Sequence, residues 1–209
     1  MNTQRSHRNP PAIKAVFFDI GNVLLRFSSR RILRKFASAV GRHPLKVARH
    51  IWKGRLVDRI ERGEVTGEEL HDLFVKQLGY TGDFTRFKTL WCDHFTLDRG
   101  SFAILKGLSG RMPTYLLSNT NALHIEHIQA RYTFPGLVKG AILSHELRLR
   151  KPQREIYEAA LEMSGTAPEE TVFIDDLEEN CEGARKAGLH AIRYRGAKDL
   201  KKRLAALGL

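Results

Sequence analysis

Two cysteines, Cys92 and Cys181, among 209 residues are too few for the bridged framework of small secreted domains. Free thiols in a reducing cytoplasm are the expectation. No apolar run approaches the roughly 18 residues of a membrane-spanning helix. The basic start, Met1 to Pro11, carries Arg5, His7 and Arg8 but no apolar stretch, so it reads as a flexible tail and not as a secretory signal. Internal repeats and low-complexity segments are also missing, which excludes a solenoid. Acid is the scarcer charge: 23 Asp and Glu stand against 35 Lys and Arg, a net charge of +12. That field draws anions, whether phosphorylated metabolites, nucleic acid or an acidic membrane surface. Arg30, Arg31, Arg34, Lys35, Arg185, Lys186, Lys201 and Lys202 are scattered without interleaved aromatics. Most therefore read as solvated helix faces, and nucleic acid is not the expected partner, although charge alone leaves an acidic partner open. The oligomeric state is not legible.

What is present suffices for a sizeable core in one domain, with or without a smaller insertion. Short apolar runs at 12–20, 114–117, 140–143, 171–174 and 191–194 predict buried parallel strands. Helical periodicity lies between them: Ile156, Ala160 and Leu161 share a face before Gly165, and Ala184 and Ala187 precede Gly188. Strands alternating with helices predict an α/β fold with a doubly wound parallel sheet. The alternation stops over 26–99, where helix signals dominate. Ile32, Leu33, Phe36 and Val40 recur at helical spacing before Gly41, and Thr66 with Glu69 forms a capping-box pattern. The expected organisation is a core of 12–25 and 100–209, with an α-helical cap inserted at 26–99. The cap aromatics Trp52, Phe74, Phe84, Phe87, Trp91 and Phe95 are expected to be mostly core residues.

The polar residues after the strands carry the chemistry. Asp19-Ile20-Gly21-Asn22-Val23 follows the first strand, Ser118-Asn119-Thr120-Asn121 the second, and Asp175-Asp176 the fourth. In an open parallel sheet, loops at the carboxyl ends of the strands converge on one crevice. Three carboxylates there repel one another and lose solvation, so they need a cation. Hard oxygen donors suit magnesium better than zinc, and magnesium is usually held by one or two carboxylates plus substrate phosphate. A phosphorylated small metabolite is the expected substrate. Lys151-Pro152 would place an ammonium in the crevice, with Pro152 expected to begin the next helix.

Phe18-Asp19-Ile20-Gly21-Asn22-Val23, Leu117-Ser118-Asn119, Arg150-Lys151-Pro152 and Phe173-Ile174-Asp175-Asp176 resemble, in order, the four motifs of the haloacid dehalogenase-like hydrolases. Asn180 and Gly183-Ala184 trail the last motif as in that family. The first two motifs look most like the branch with bacterial sugar-phosphate phosphatases, including those acting on α-D-glucose 1-phosphate. The resemblance implies a phosphatase in which Asp19 attacks phosphorus to form an aspartyl phosphate. It further implies that Ser118, Asn119 and nearby backbone N–H groups hold phosphate oxygens, and that Lys151 balances charge beside them. Magnesium would be held by Asp19, the Gly21 carbonyl and Asp176, with Asp175 a ligand or an outer contact.

One position departs from the family pattern. Most of its phosphatases carry a second aspartate two residues after the nucleophile as general acid and base, and here that residue is Gly21. Either the leaving group needs little protonation, as with an anomeric sugar phosphate, or another acid serves, with His43, His124 and His127 available. A phosphomutase leans harder on the missing acid, and a dehalogenase has no need for Asp175-Asp176. The alternative of another class is a non-catalytic phospholigand-binding or regulatory protein.

Overall fold

The computed structural model describes residues 11–52 and 55–209; almost all of the basic start and the Trp52 side chain lie outside what it describes. In chain order, β1 (Ala15–Phe18) leads to a short β2 (Leu25–Arg26), then to five helices: α1 (Ser29–Ala39), α2 (Pro44–Trp52), α3 (Leu56–Glu61), α4 (Gly67–Leu78) and α5 (Phe84–Cys92). A second short strand, β3 (Thr96–Leu97), returns the chain to α6 (Arg99–Ser109), β4 (Thr114–Ser118), α7 (Ala122–Arg131) and β5 (Gly140–Leu143). The remainder is α8 (Ser144–Leu147), α9 (Arg154–Ser164), β6 (Thr171–Asp175), α10 (Glu178–Lys186), β7 (His190–Arg193) and α11 (Ala197–Ala205). No helix among the described residues is long and apolar enough to cross a membrane.

The α/β sheet is wholly parallel, in the order β5-β4-β1-β6-β7. From β1 the chain winds outward through β4 to β5, then returns to the other side of β1 for β6 and β7. The winding direction reverses at β1, which places a crevice at its carboxyl end. The strands are buried on both faces, and their period of two divides the core. Val16 and Phe18 join Ile104, Leu105, Ile128 and Leu200 on one face. Ala15 and Phe17 join Ile156, Tyr157, Ala160 and Ala184 on the other.

Helices α1 to α5 build a cluster of their own, to which α7 adds Leu123. Its centre is aromatic: the Phe36 ring lies 4.7 Å from Phe74, 5.3 Å from Phe87 and 6.1 Å from Trp91. Of the other aromatics in this region, Phe84 packs at the edge of that cluster and Phe95 against the sheet-side core. The capping box forms, with the Glu69 N–H donating to Thr66 Oγ1 at 3.1 Å and the Thr66 N–H to Glu69 Oε2 at 2.8 Å. Gly41, with φ +60°, follows α1 as the periodicity implies.

Two local expectations fail. The segment over 26–99 contains strand after all: β2 and β3 pair antiparallel where the chain leaves and rejoins the sheet, with Leu25 opposite Leu97. Two-residue strands are too short to display alternation. Pro152 does not begin a helix; it follows a cis peptide bond in a turn, and α9 starts at Arg154.

Because the inserted helices bury their own aromatics, Phe36→Ala should cost them about 3–5 kcal/mol. Hydrogen exchange should show α1, α4 and α5 losing protection while β1, β4 and β6 keep theirs. Equal loss throughout the chain would show instead that the two clusters open as one unit.

Candidate active site

The crevice is built from three strand ends. Asp19 directly follows β1, and its N–H still donates to the Ile174 carbonyl at 2.9 Å, so it is held in register with β6. The chain then turns sharply. Asn22 is left-handed (φ 51°), a conformation that asparagine tolerates, and its N–H donates to the Leu25 carbonyl at 2.7 Å. Asn22 Nδ2 donates to Asp176 Oδ2 at 3.2 Å, and its Oδ1 accepts from the Phe27 N–H at 3.3 Å, which ties the β1 loop to the β6 loop.

Ser118 ends β4 and Asp175 ends β6, both buried. Lys151 reaches them from the loop after α8 with its side chain only 1% exposed. Its Nζ donates to Asp175 Oδ2 at 2.6 Å and the Leu117 carbonyl at 3.0 Å, forms an ion pair with Asp19 Oδ1 at 2.9 Å, and lies 5.1 Å from the Phe173 ring centre. Asn119 clamps the Lys151 main chain twice, donating to its carbonyl at 3.0 Å and accepting from its N–H at 2.9 Å. The Asn119 side chain is thus committed to positioning Lys151.

The two buried acids in contact with Lys151 have different surroundings. Asp175 is saturated: besides Lys151, it accepts from the Leu177 N–H at 2.8 Å and from Asn180 Nδ2 at 3.0 Å to each oxygen. Asn180 is itself anchored through its carbonyl, which accepts from the Tyr157 hydroxyl at 2.7 Å. Asp19 has no such cradle. Burial pushes its carboxyl up to about 7 against the pull of Lys151, and Asp175 adds to the rise. Burial also works against the Lys151 charge, but Asp19 and Asp175 overcome it and hold that ammonium above its ordinary value. Asp176 is raised by burial and then by Asp175, with the Asn22 hydrogen bond opposing.

Asp19, Asp175 and Asp176 each present an oxygen within 4.8 Å of the others. All three donors are hard, and burial, with repulsion from Asp175 added, raises Asp19 and Asp176 in a way that a divalent cation would relieve, so this set fits magnesium. With Asp175 saturated by protein donors, the open oxygens belong to Asp19 and Asp176.

Gly21 leaves little room for the acid its position usually carries. A Cβ there would lie 3.3 Å from Phe27 Cε1 and 3.8 Å from Asp19 Oδ2, so an aromatic ring covers that side of the loop. Of the three histidines available as substitutes, His43 is exposed, and His127 is half-buried with its ring 6.2 Å from Phe95. His124 lines the cavity next to the site, but burial drops its pKa to about 3, so it holds no spare proton near neutrality. His94, which no spacing singled out, lines the same cavity and is lowered by burial to about 4.

Sequence reading also missed Arg150. Its guanidinium pairs with Asp58 at 2.6 Å and Glu61 at 2.5 Å on α3, joining the inserted helices to the loop that carries Lys151. A nearby contact is equally close: Gly63 has φ +65°, and a Cβ there would stand 2.3 Å from the His145 carbonyl oxygen. Neither feature has a signal in the sequence, since partners this far apart in the chain leave no periodic trace.

Known proteins resemble this chain over most of its length. A sesquiterpene phosphatase, AstK, of Aspergillus oryzae is 27% identical over 180 residues, covering 84% of this chain and 87% of that protein. A D-ribitol-5-phosphate phosphatase of Bacteroides thetaiotaomicron is 22% identical over 93% of this chain and 98% of its own length. Among solved structures, a HAD family enzyme of Bacteroides thetaiotaomicron superposes with a TM-score of 0.83 at 25% identity, over 93% of this chain and 99% of that one. A wild-type complex of that enzyme with magnesium and inorganic phosphate superposes at 0.80, also at 25% identity, over 88% of this chain and 96% of that one. The haloacid dehalogenase-like hydrolase model matches residues 13–188, most of the chain, and the chain therefore belongs to the haloacid dehalogenase-like hydrolases.

Proposed function

We propose that the chain is a magnesium-dependent phosphatase acting on a small phosphate monoester, with Asp19 as nucleophile. The observation that carries this reading is the grouping of Asp19, Lys151, Asp175 and Asp176 at adjacent strand ends. The names of the two relatives, both phosphatases, and the magnesium and phosphate bound by the structural neighbour support it. The inserted helices act as a cap whose inner wall meets the alcohol part of the substrate.

Asp19, the Gly21 carbonyl and Asp176 would hold the magnesium, which would supply positive charge for the phosphate oxygens. One Asp19 oxygen forms a bond to phosphorus as the ester P–O bond breaks, and the alcohol oxygen departs with that electron pair and acquires a proton from solvent. Lys151 keeps Asp19 oriented and offsets the charge that gathers on the transferring group. Ser118 and the main-chain N–H groups that follow it receive the phosphate oxygens. Water then cleaves the aspartyl phosphate, so that one ester and one water give one alcohol and one inorganic phosphate, and Asp19 is restored. With Phe27 over Gly21, no carboxyl assists the leaving oxygen from position 21. Leaving groups that require little protonation are favoured, an anomeric sugar phosphate being one such case.

Asp19→Asn should reduce phosphate release from p-nitrophenyl phosphate in magnesium buffer to below about one-thousandth of the parent rate. An unchanged rate would remove Asp19 from the chemistry. Turnover by neither protein on any phosphomonoester, with phosphate still bound, would favour the regulatory alternative.

The raised Asp19 carboxyl links magnesium binding to pH. Between its ordinary value of 3.8 and about 7, the metal-free folded protein carries a proton on Asp19 that the unfolded chain has lost, so metal-free stability falls as pH rises through that window. The same proton must leave before the cation binds. Calorimetric titration should therefore show magnesium affinity rising up to about tenfold per pH unit below 7 and levelling off above it. A pH-independent affinity would contradict this linkage.

A further inference from the structure

A cavity of about 240 Å³ lies between the inserted helices and the sheet, and opens onto the site through Ile20, Gly21, Ser118 and Asn119. From its chemistry we infer that the substrate is the phosphate of an apolar alcohol, with an alkyl, alkenyl or aryl chain held in this cavity. The inference rests on the phosphatase reading and specifies its substrate class. Ile32 and Leu33 of α1, Ile60 of α3 and Trp91 of α5 form the cap side of the wall, while Phe27 and Phe95 close it near the strands β2 and β3.

Several polar side chains in this wall are occupied by the protein itself. Asn119 is clamped on Lys151, and Asn121 Oδ1 accepts from the His124 N–H at 3.1 Å while its Nδ2 meets His124 Nδ1 at 3.1 Å. Glu61 is paired with Arg150. Trp91 Nε1 and His124 Nε2 are buried without a partner among the described residues, and so is His94: it is buried, and neither ring nitrogen has a protein partner. Burial keeps that ring neutral near pH 7, so it offers hydrogen bonding without charge. The wall therefore offers hydrogen bonds from a few ring nitrogens alone, and the rest of its inserted-helix side is aliphatic and aromatic.

A polyol brings a hydroxyl on nearly every carbon, and each one buried without a partner loses its bonds to water. An apolar chain loses nothing comparable and gains from the burial of its surface against Ile, Leu, Phe and Trp side chains. The space would hold roughly eight water molecules, enough for a short chain or a ring system of modest size.

Two measurements test this. Magnesium-loaded protein is assayed on acetyl phosphate, then on an alkyl and alkenyl phosphate series beside glucose 1-phosphate and ribitol 5-phosphate. Compared at similar leaving-group acidity, alkyl phosphates against ribitol 5-phosphate and allylic phosphates against glucose 1-phosphate, the apolar esters should exceed the polyol esters in kcat/KM by at least about 10²-fold. Independently of turnover, alkylphosphonates of increasing length should bind the magnesium-loaded Asp19→Asn variant about three- to fourfold more tightly per added methylene until the cavity is full. Leu33→Ser, at a half-buried position, should flatten that dependence on chain length; a melting temperature near that of the parent would show that the variant remains folded. Hydrolysis of acetyl phosphate with polyol esters equal to or better than apolar ones, or phosphonate affinity independent of chain length, would overturn the inference while leaving the phosphatase reading standing. Failure on every phosphate, acetyl phosphate included, would overturn both.

Discussion

Lys151 is the constraint on which the rest of the site depends. Two carboxylates, Asp19 and Asp175, stand at the ends of neighbouring strands inside an apolar sheet, where two buried negative charges need a cation between them. The single ammonium between them offsets one charge and leaves the cluster net negative on the side of Asp176. That residual charge is what makes the site receptive to a divalent cation. The surrounding architecture serves to hold Lys151 in place: Asn119 fixes its main chain, and Leu117 accepts from its side chain.

The same loop reaches the inserted helices. Arg150, next to Lys151, pairs with Asp58 and Glu61 of α3, so the segment that balances charge at the site also fastens the wall of the cavity. The buried ammonium and the link to the inserted helices thereby share one stretch of backbone. The division between the two halves is chemical as well as spatial. The sheet side presents carboxylates and hydrogen-bond donors, whereas the helical side presents aliphatic and aromatic surface. A phosphate ester of an apolar alcohol has the same two-sided character.

Gly21 and Phe27 illustrate how far local sequence can be trusted. The absence of an acid at position 21 is visible from the chain alone, and so is the list of histidines that could replace it. What occupies the place of the acid is not visible, because Phe27 folds back over Gly21 only after the tight turn at Asn22. Likewise His124 stood among the histidines available as a substitute acid and His94 did not, although both line the cavity and burial deprives both of a proton at neutral pH. Asn22 and Asn180 were quoted within motifs, yet their tasks, tying the two loops and cradling Asp175, depend on residues far away in the chain or on side-chain direction.

Sequence by itself determined the alternation of strands and helices, the helical character of the stretch over 26–99, and the strand ends at which Asp19, Ser118 and Asp175 would emerge. Each of these follows from periodicity or from short-range turn chemistry, which act within a few residues. The tertiary structure alone decided the β2 and β3 pairing, the saturation of Asp175 compared with the open Asp176, the Arg150 bridge, and the apolar lining that meets the phosphate site. All of these are contacts between distant segments, where burial and hydrogen-bond supply depend on which surfaces meet, and no local pattern in the chain encodes that meeting.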